Sequence, residues 1–272
     1  MLDSYAVIGN PIAHSKSPLI HTAFAQQTSQ ALQYTAILAP LDGFREAVES
    51  FRQQGGKGLN VTVPFKLEAH QLSTRLTERA AIAQAVNTLK FENGEILGDN
   101  TDGAGLVHDI ENNLGISITA KRILLLGAGG AARGVILPLL QRHPALLAIA
   151  NRTAQKAEML QQQFMAFGGI VAGDFMQFSG DNFDVIINAT SASLHDALPD
   201  IPAGVFAHTA LAYDMMYRRE PTPFLDFARQ NSAKQIADGI GMLVEQAAES
   251  FLLWRGVRPQ TKPVIALLKS KF

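Results

Sequence analysis

The segment that most restricts how this chain can fold is Arg122-Ile-Leu-Leu-Leu-Gly-Ala-Gly-Gly-Ala-Ala-Arg133. Ile123 to Leu126 are apolar at every position, as a strand covered by helices on both faces would be. Gly127, Gly129 and Ala132 match G-x-G-x-x-G/A. In that pattern the first glycine makes a tight turn, the second lets backbone approach a pyrophosphate, and the small third residue lets helix and strand lie close. The N–H groups and positive dipole end of the following helix complete an anion site. Glycines alone fit any strand–helix turn. The strand before and the helix after supply the context a dinucleotide site requires, and make Gly127, Ala128, Gly129, Gly130 and Ala131 the candidate pyrophosphate cradle.

The next strand bears on which dinucleotide. An NAD site places an acid about 20 residues after the first glycine, on the ribose 2′-hydroxyl. Here no Asp or Glu lies between Asn112 and Ala157. The strand Leu146–Ala150 ends instead in Asn151, Arg152 and Thr153, with Lys156 one turn on. Arg152 either stacks on adenine and pairs with a 2′-phosphate or is a solvated loop residue; the acid-free setting favours NADP over NAD.

The same alternation runs from end to end. Strands are predicted at Tyr5–Ile8, Gln33–Leu38, Gly58–Val63, Val86–Phe91, Arg122–Leu126, Leu146–Ala150, Asp184–Asn188 and Ala210–Asp214. Helices are predicted between them, as at Pro18–Gln27, Asp42–Gln53, Ala132–Gln141 and Ala154–Phe164, with a last one over Met242–Trp254. The pattern implies an α/β chain with parallel sheets and right-handed crossovers, interrupted by a hairpin turning at Glu92-Asn-Gly94. At 272 residues there is material for two domains. We divide it into an open α/β domain over 1–101, completed by helices over 242–272, and a Rossmann-type domain over 102–241.

Charge and composition exclude several functions. Twenty-three Lys and Arg against 24 Asp and Glu leave a net charge of −1, without the basic excess of a nucleic-acid binder. With no cysteine there are no disulfides, thiolate metal sites or cysteine nucleophiles. The histidines, at 14, 21, 70, 108, 143, 195 and 208, have no metal-ligand spacing, so no metal is expected. There is no Gly-x-Ser-x-Gly elbow or Walker loop. The first residues have no basic lead into a long apolar run, and the longest apolar stretch, Ile123 to Ala132, is about half a membrane span. A soluble, cytoplasmic protein acting on a small molecule is expected, with no membrane partner, as a monomer or homodimer.

An alcohol dehydrogenase moves a proton as well as a hydride. Lys66 follows the strand-like Asn60-Val-Thr-Val-Pro-Phe, at the strand end where open α/β sheets carry ligands. Asp102 lies in Gly98-Asp-Asn-Thr-Asp-Gly103, at the domain junction and a helix start. Together they suit a shared proton; separately each also reads as a solvated lysine and a helix N-cap. Gly9-Asn-Pro-Ile-Ala-His-Ser-Lys-Ser-Pro18 offers the hydroxyls of Ser15 and Ser17 ahead of Pro18, which suits a first helical position. They fit a substrate carboxylate, or Ser17 is a cap. Asn87 is a polar residue inside an apolar strand and must find partners, in the protein or in a substrate.

These segments, with Ala85-Val-Asn-Thr88, Asn188-Ala-Thr-Ser191, Tyr213-Asp-Met-Met-Tyr217 and Asp238-Gly-Ile-Gly-Met242, resemble the shikimate dehydrogenase family over nearly the whole chain. The resemblance implies reversible NADPH-dependent reduction of 3-dehydroshikimate to shikimate, in chorismate and aromatic amino-acid biosynthesis. It makes Lys66 the acid/base at the reacting oxygen and Asp102 the group that holds its proton and binds a ring hydroxyl. It assigns the substrate carboxylate to Ser15 and Ser17, closed over by Tyr217, and ring hydroxyls to Thr62, Asn87 and Gln246. Thr190, Met215 and Gly239 would line the nicotinamide end, and Glu78 matches a position near the cofactor in some members or is an exposed helix residue. Gln246 also reads as a surface residue of an apolar helix, and Met215 as plain core. In the family a glycine commonly stands where this chain has Ser193; glycine takes positive φ there at little cost, so the loop to Leu198 is expected to differ. Two other readings stand beside this one: a relative that oxidises quinate, often with NAD, and an NADP-binding regulator without chemistry. The two-domain layout further predicts a cleft that narrows on binding, with Gly239 and Gly241 near its hinge.

Overall fold

The computed structural model describes residues 2–271; the side chains of Leu194 and His195 lie outside the description, and with them the reading of His195 as no ligand. The chain forms two compact units, one of residues 1–105 and 244–267, the other of 106–243 and 268–272.

In the first unit the chain runs β1 (Asp3–Gly9), α1 (Ser17–Gln27), β2 (Leu32–Leu38), α2 (Phe44–Gln53), β3 (Gly56–Val61), α3 (Lys66–Leu72), β4 (Arg75–Leu76), α4 (Glu78–Ala83), β5 (Thr88–Glu92) and β6 (Glu95–Asp99), and enters α5 (Asp102–His108). Its sheet has the order β2-β1-β3-β5-β6-β4. This sheet is mixed, with the expected hairpin in it. β1 is parallel to β2 and β3, but β5 is antiparallel to both β3 and β6. The cause is the hairpin: Asn93 and Gly94 both take positive φ, 52° and 83°, the turn that joins adjacent antiparallel strands. One face of this sheet buries Ile8, Leu59, Val61 and Leu89 with Phe44 and Phe65, whose rings stack at 4.9 Å. The other carries Tyr5, Val7 and Tyr34 against Trp254.

The second unit is regular: β7 (Arg122–Leu126), α6 (Gly130–Leu140), β8 (Leu146–Ala150), α7 (Ala154–Phe164), β9 (Ile170–Gly173), β10 (Val185–Asn188), β11 (Leu211–Asp214), α8 (Pro223–Gln230) and β12 (Gln235–Ala237). All six strands are parallel, in the order β12-β11-β10-β7-β8-β9. The order reverses between β7 and β10, the switch point at which doubly wound sheets bind dinucleotides. Ile123 to Leu126 are buried throughout, as their apolar run predicts. α9 (Ile240–Arg255) starts in this unit and continues into the first, and α10 (Lys262–Lys269) ends the chain. Among the described residues no helix is long and apolar enough to cross a membrane.

Candidate active site

Topology brings the polar candidates of the first unit to one sheet edge. β1 and β3 run parallel, so the turns after them leave the same side. β5 returns to that side because it pairs Thr88 with Asn60, and β6 ends there because it pairs Asp99 with Thr88. Ser15 and Ser17 follow β1, Thr62 and Lys66 follow β3, Asn87 precedes β5, and Asp102 follows β6.

Lys66 opens α3 and Asp102 opens α5. Lys66 Nζ donates to Asp102 Oδ2 at 2.6 Å, with 17% and 8% of the two side chains exposed. Asn87 Nδ2 donates to the other oxygen, Oδ1, at 2.8 Å. The Asp102 backbone N–H is taken by Asn100 Oδ1, so the carboxylate is held at both oxygens and at its own backbone. Gln246 on α9 joins the group, accepting from Asn87 Nδ2 at 3.3 Å. It comes this near because residue 105 is glycine: a Cβ there would sit 2.6 Å from the Gln246 nitrogen.

Several expectations need correction. Asn87 is not inside a strand; it lies one residue before β5, where its backbone N–H reaches Asp99 and its carbonyl accepts from Val61. Ser17 is not the cap of α1. It is the first helical residue, after Lys16, with Pro18 second. The Ser17 backbone N–H donates to Ser15 Oγ at 3.3 Å. Thr62 crowds Gly9, where any Cβ would meet its methyl group. Glu78 opens α4, at residue 78, capped by Thr77.

In the second unit the parallel sheet places its candidates at the carboxyl ends of its strands. Gly127 has φ +107°, and a Cβ there would lie 3.2 Å from the Ala189 carbonyl. Gly129 is extended, with no heavy atom within 4 Å of where its Cβ would be, and as N-cap of α6 it leaves the first helical N–H groups without a side-chain partner. Asn151 braces the next turn by donating to the Thr153 carbonyl at 2.9 Å. Arg152 and Lys156 are exposed and form no ion pair among the described residues. Thr190 Oγ1 donates to Asn188 Oδ1 at 2.7 Å, Met215 N–H to the Asn188 carbonyl, and Gly239 N–H to the Met216 carbonyl. A Cβ on Gly239 would collide with the Met215 carbonyl, so Thr190, Met215 and Gly239 converge. Tyr217, half-buried after β11, has its phenol raised above the usual value by burial.

Ser193 does not take a positive φ; in this loop the left-handed residue is Asp196, at φ 51°. Ser193 is buried in a single helical turn and donates to Asp214 Oδ2 at 2.7 Å, beside Thr222 at 2.6 Å. The residue that departs from the family pattern is thus built into a buried hydrogen-bond cluster. Sequence reading missed the polar groups behind Asn87, namely Asn60, Thr88, Thr101 and Ser250. A signal existed: Asn60 interrupts an apolar strand, and Gln246 and Ser250 share one face of α9 four residues apart.

Three family models match: the shikimate dehydrogenase substrate binding domain over residues 7–89, shikimate / quinate 5-dehydrogenase over 109–196, and the shikimate 5′-dehydrogenase C-terminal domain over 239–269. The shikimate dehydrogenase (NADP(+)) of Nitrosospira multiformis is 63% identical over 270 residues, covering 99% of this chain and 98% of that one. The chain belongs to the shikimate dehydrogenase family. Among solved structures, an Ael1 enzyme from Pseudomonas putida superposes with a TM-score of 0.92 at 52% identity, covering 98% of each chain. Shikimate 5-dehydrogenase from Thermus thermophilus, solved with NADP(H) and shikimate, gives 0.88 at 30% identity over the full length of both.

Proposed function

We propose that this family member catalyses the reversible NADPH-dependent reduction of 3-dehydroshikimate to shikimate in the cytoplasm, feeding chorismate and aromatic amino-acid biosynthesis, with Lys66 and Asp102 handling the proton. The observation that carries the reading is the 2.6 Å contact of Lys66 Nζ with Asp102 Oδ2 in a largely buried setting.

Lys66, as an ammonium, delivers a proton to the carbonyl oxygen as it becomes an alkoxide; in the reverse direction the neutral amine takes the hydroxyl proton. Asp102 holds the ammonium in place through one oxygen and offers the other lone pairs to a ring hydroxyl. Asn87 and Gln246 add an amide donor and acceptor for neighbouring hydroxyls. Ser15 and Ser17 supply hydroxyls for the carboxylate, and Tyr217 stays a neutral phenol able to donate to it, because burial raises it.

The second unit fits NADP. The open space at Gly129 and the uncapped start of α6 suit a pyrophosphate. Arg152 and Lys156, free of carboxylate partners among the described residues, suit a 2′-phosphate, with Asn151 and Thr153 framing the turn. When bound, NADPH supplies the hydride that the carbonyl carbon accepts.

The test is nicotinamide absorbance with shikimate and NADP, repeated with NAD and with quinate, on the natural chain and on Lys66→Ala. Reduction that needs shikimate and prefers NADP is expected, with turnover down about 10²–10⁴-fold in the variant while NADP binding is kept. Comparable rates with quinate or NAD would replace the substrate or cofactor assignment, and full turnover by the variant would remove Lys66 from the mechanism.

A further inference from the structure

Asn87 can only donate to Asp102 if its amide faces one way, and the structure contains the groups that decide this. A primary amide looks nearly the same with its oxygen and nitrogen exchanged, so its orientation must be set by partners of fixed role. On one side the Thr101 backbone N–H, which can only donate, meets Asn87 Oδ1 at 2.9 Å. On the other side the Asp102 carboxylate meets Nδ2 at 2.8 Å. A second donor backs up the first: the Thr88 hydroxyl gives its proton to Asn87 Oδ1 at 2.9 Å.

That hydroxyl is itself aimed. Asn60 Nδ2 donates to Thr88 Oγ1 at 3.2 Å and to Ser250 Oγ at 2.9 Å, and Ser250 passes its own proton to the Gln246 carbonyl at 3.1 Å. Asn60 is fixed in turn by Tyr34, whose hydroxyl donates to Oδ1 at 2.7 Å. Hydrogen bonds thus run without a break from Tyr34 through Asn60 and Thr88 to Asn87 and the Asp102 carboxylate that also holds Lys66 Nζ, with the Ser250 hydroxyl 2.8 Å from that of Thr88. Hydrogen bonds in such a head-to-tail chain polarise one another. Thr88, Asn60 and Ser250 are all buried.

We propose that Thr88 is a positioning residue for catalysis: its hydroxyl locks the Asn87 amide with Nδ2 towards Asp102, and the Asn60 amide, a donor to Thr88 Oγ1, leaves that hydroxyl to donate onward. This rests on the acid/base reading of Lys66 and Asp102 given above. Thr88 touches neither substrate nor cofactor in this reading; it acts through Asn87.

The test is Thr88→Val, which has nearly the same shape and lacks the hydroxyl, beside Thr88→Ser, which keeps it. Loss of one net hydrogen bond in this setting corresponds to about 5- to 10-fold. The expected result is a fall in kcat of about that size for Thr88→Val, with KM for NADP close to that of the natural chain, and recovery of most of the turnover in Thr88→Ser. Thr88→Val with undiminished kcat overturns the proposal, and so does a loss that Thr88→Ser fails to restore, since that loss would belong to the methyl group's packing. Full activity in Lys66→Ala is a separate result, and it would overturn the acid/base reading on which this one stands.

Discussion

The candidate residues of the two units are arranged by opposite means. In the first unit the candidate side chains are committed: Lys66, Asp102, Asn87 and Gln246 hold one another, and the partly exposed Arg79 pairs with the buried Asp99. In the second unit the candidate cofactor groups are left open, with empty space at Gly129, an uncapped helix start, and Arg152 and Lys156 without ion-pair partners among the described residues. A substrate of similar size with several hydroxyls is sorted by a rigid, pre-oriented set of donors and acceptors. A phosphate-rich cofactor carries its own strong charges and needs chiefly backbone N–H groups and cations that are free to meet them. Lesions in the first unit should therefore lower turnover or stability, and lesions in the second should lower affinity.

The sharpest way to break this contrast is Asp102→Asn. It keeps the shape and removes the charge that holds Lys66, and kcat should fall by about 10²–10⁴-fold with NADP binding intact; an effect confined to KM for NADP would erase the difference between the halves. Next comes Arg79→Ala. Asp99 is 1% exposed and is held below the usual carboxylate range: burial pushes it up, but two hydrogen bonds and the charge of Arg79, with help from Thr77 and the Asn100 N–H, more than offset that. Removing the guanidinium leaves the buried carboxylate with only Thr77 and the Asn100 N–H and should cost about 3 kcal/mol in urea unfolding. Because the folded value lies below the unfolded one, this pair's contribution is present above about pH 4 and is lost as pH falls through the folded value.

In the second unit, Arg152→Ala should raise KM for NADP about 10-fold or more while kcat at saturation and the preference for shikimate stay put. Unchanged affinity would dismiss the 2′-phosphate assignment. A last prediction concerns His21, buried and stacked on Tyr34 at 4.2 Å. Burial pushes it down to about 3, so it stays neutral in the fold while the unfolded chain takes up its proton below about pH 6.5. Stability should thus be full above that pH and decline below it, by up to about 1.4 kcal/mol per unit until the folded value is reached. His21→Phe should flatten the acid slope of melting temperature between about pH 6.5 and 4, and an unchanged slope would assign that decline to other groups.

What could be read from the sequence follows from what is local. The strand from Ile123 to Leu126, the glycine turn and the hairpin at Asn93-Gly94 are written in consecutive residues, and all three stand where their chemistry puts them. The mixed character of the first sheet was not legible in the strands themselves, since alternating or continuous apolar runs carry no direction. β4 and β12, two and three residues long, are too short to leave a pattern. The site shows the same division. Lys66 and Asp102 stand in recognisable strings, whereas the amide of Asn60 meets Ser250 across 190 residues, a pairing that only the fold can make. The role of the Ser193 hydroxyl is likewise hidden from a local argument, because its partner, Asp214, lies 21 residues on.

The chain's division has a consequence for how it is made. The second unit is contiguous but for its last few residues, while the first needs residues 244–267 to be whole. Until then Tyr5, His21 and Tyr34 lack the rings of Phe251 and Trp254 that lie against them. At roughly 5–20 residues per second of translation, the interval from residue 105 to residue 244 is about ten seconds or somewhat more. During synthesis, then, the portion of the chain that emerges first is the portion that must wait longest for its core to close.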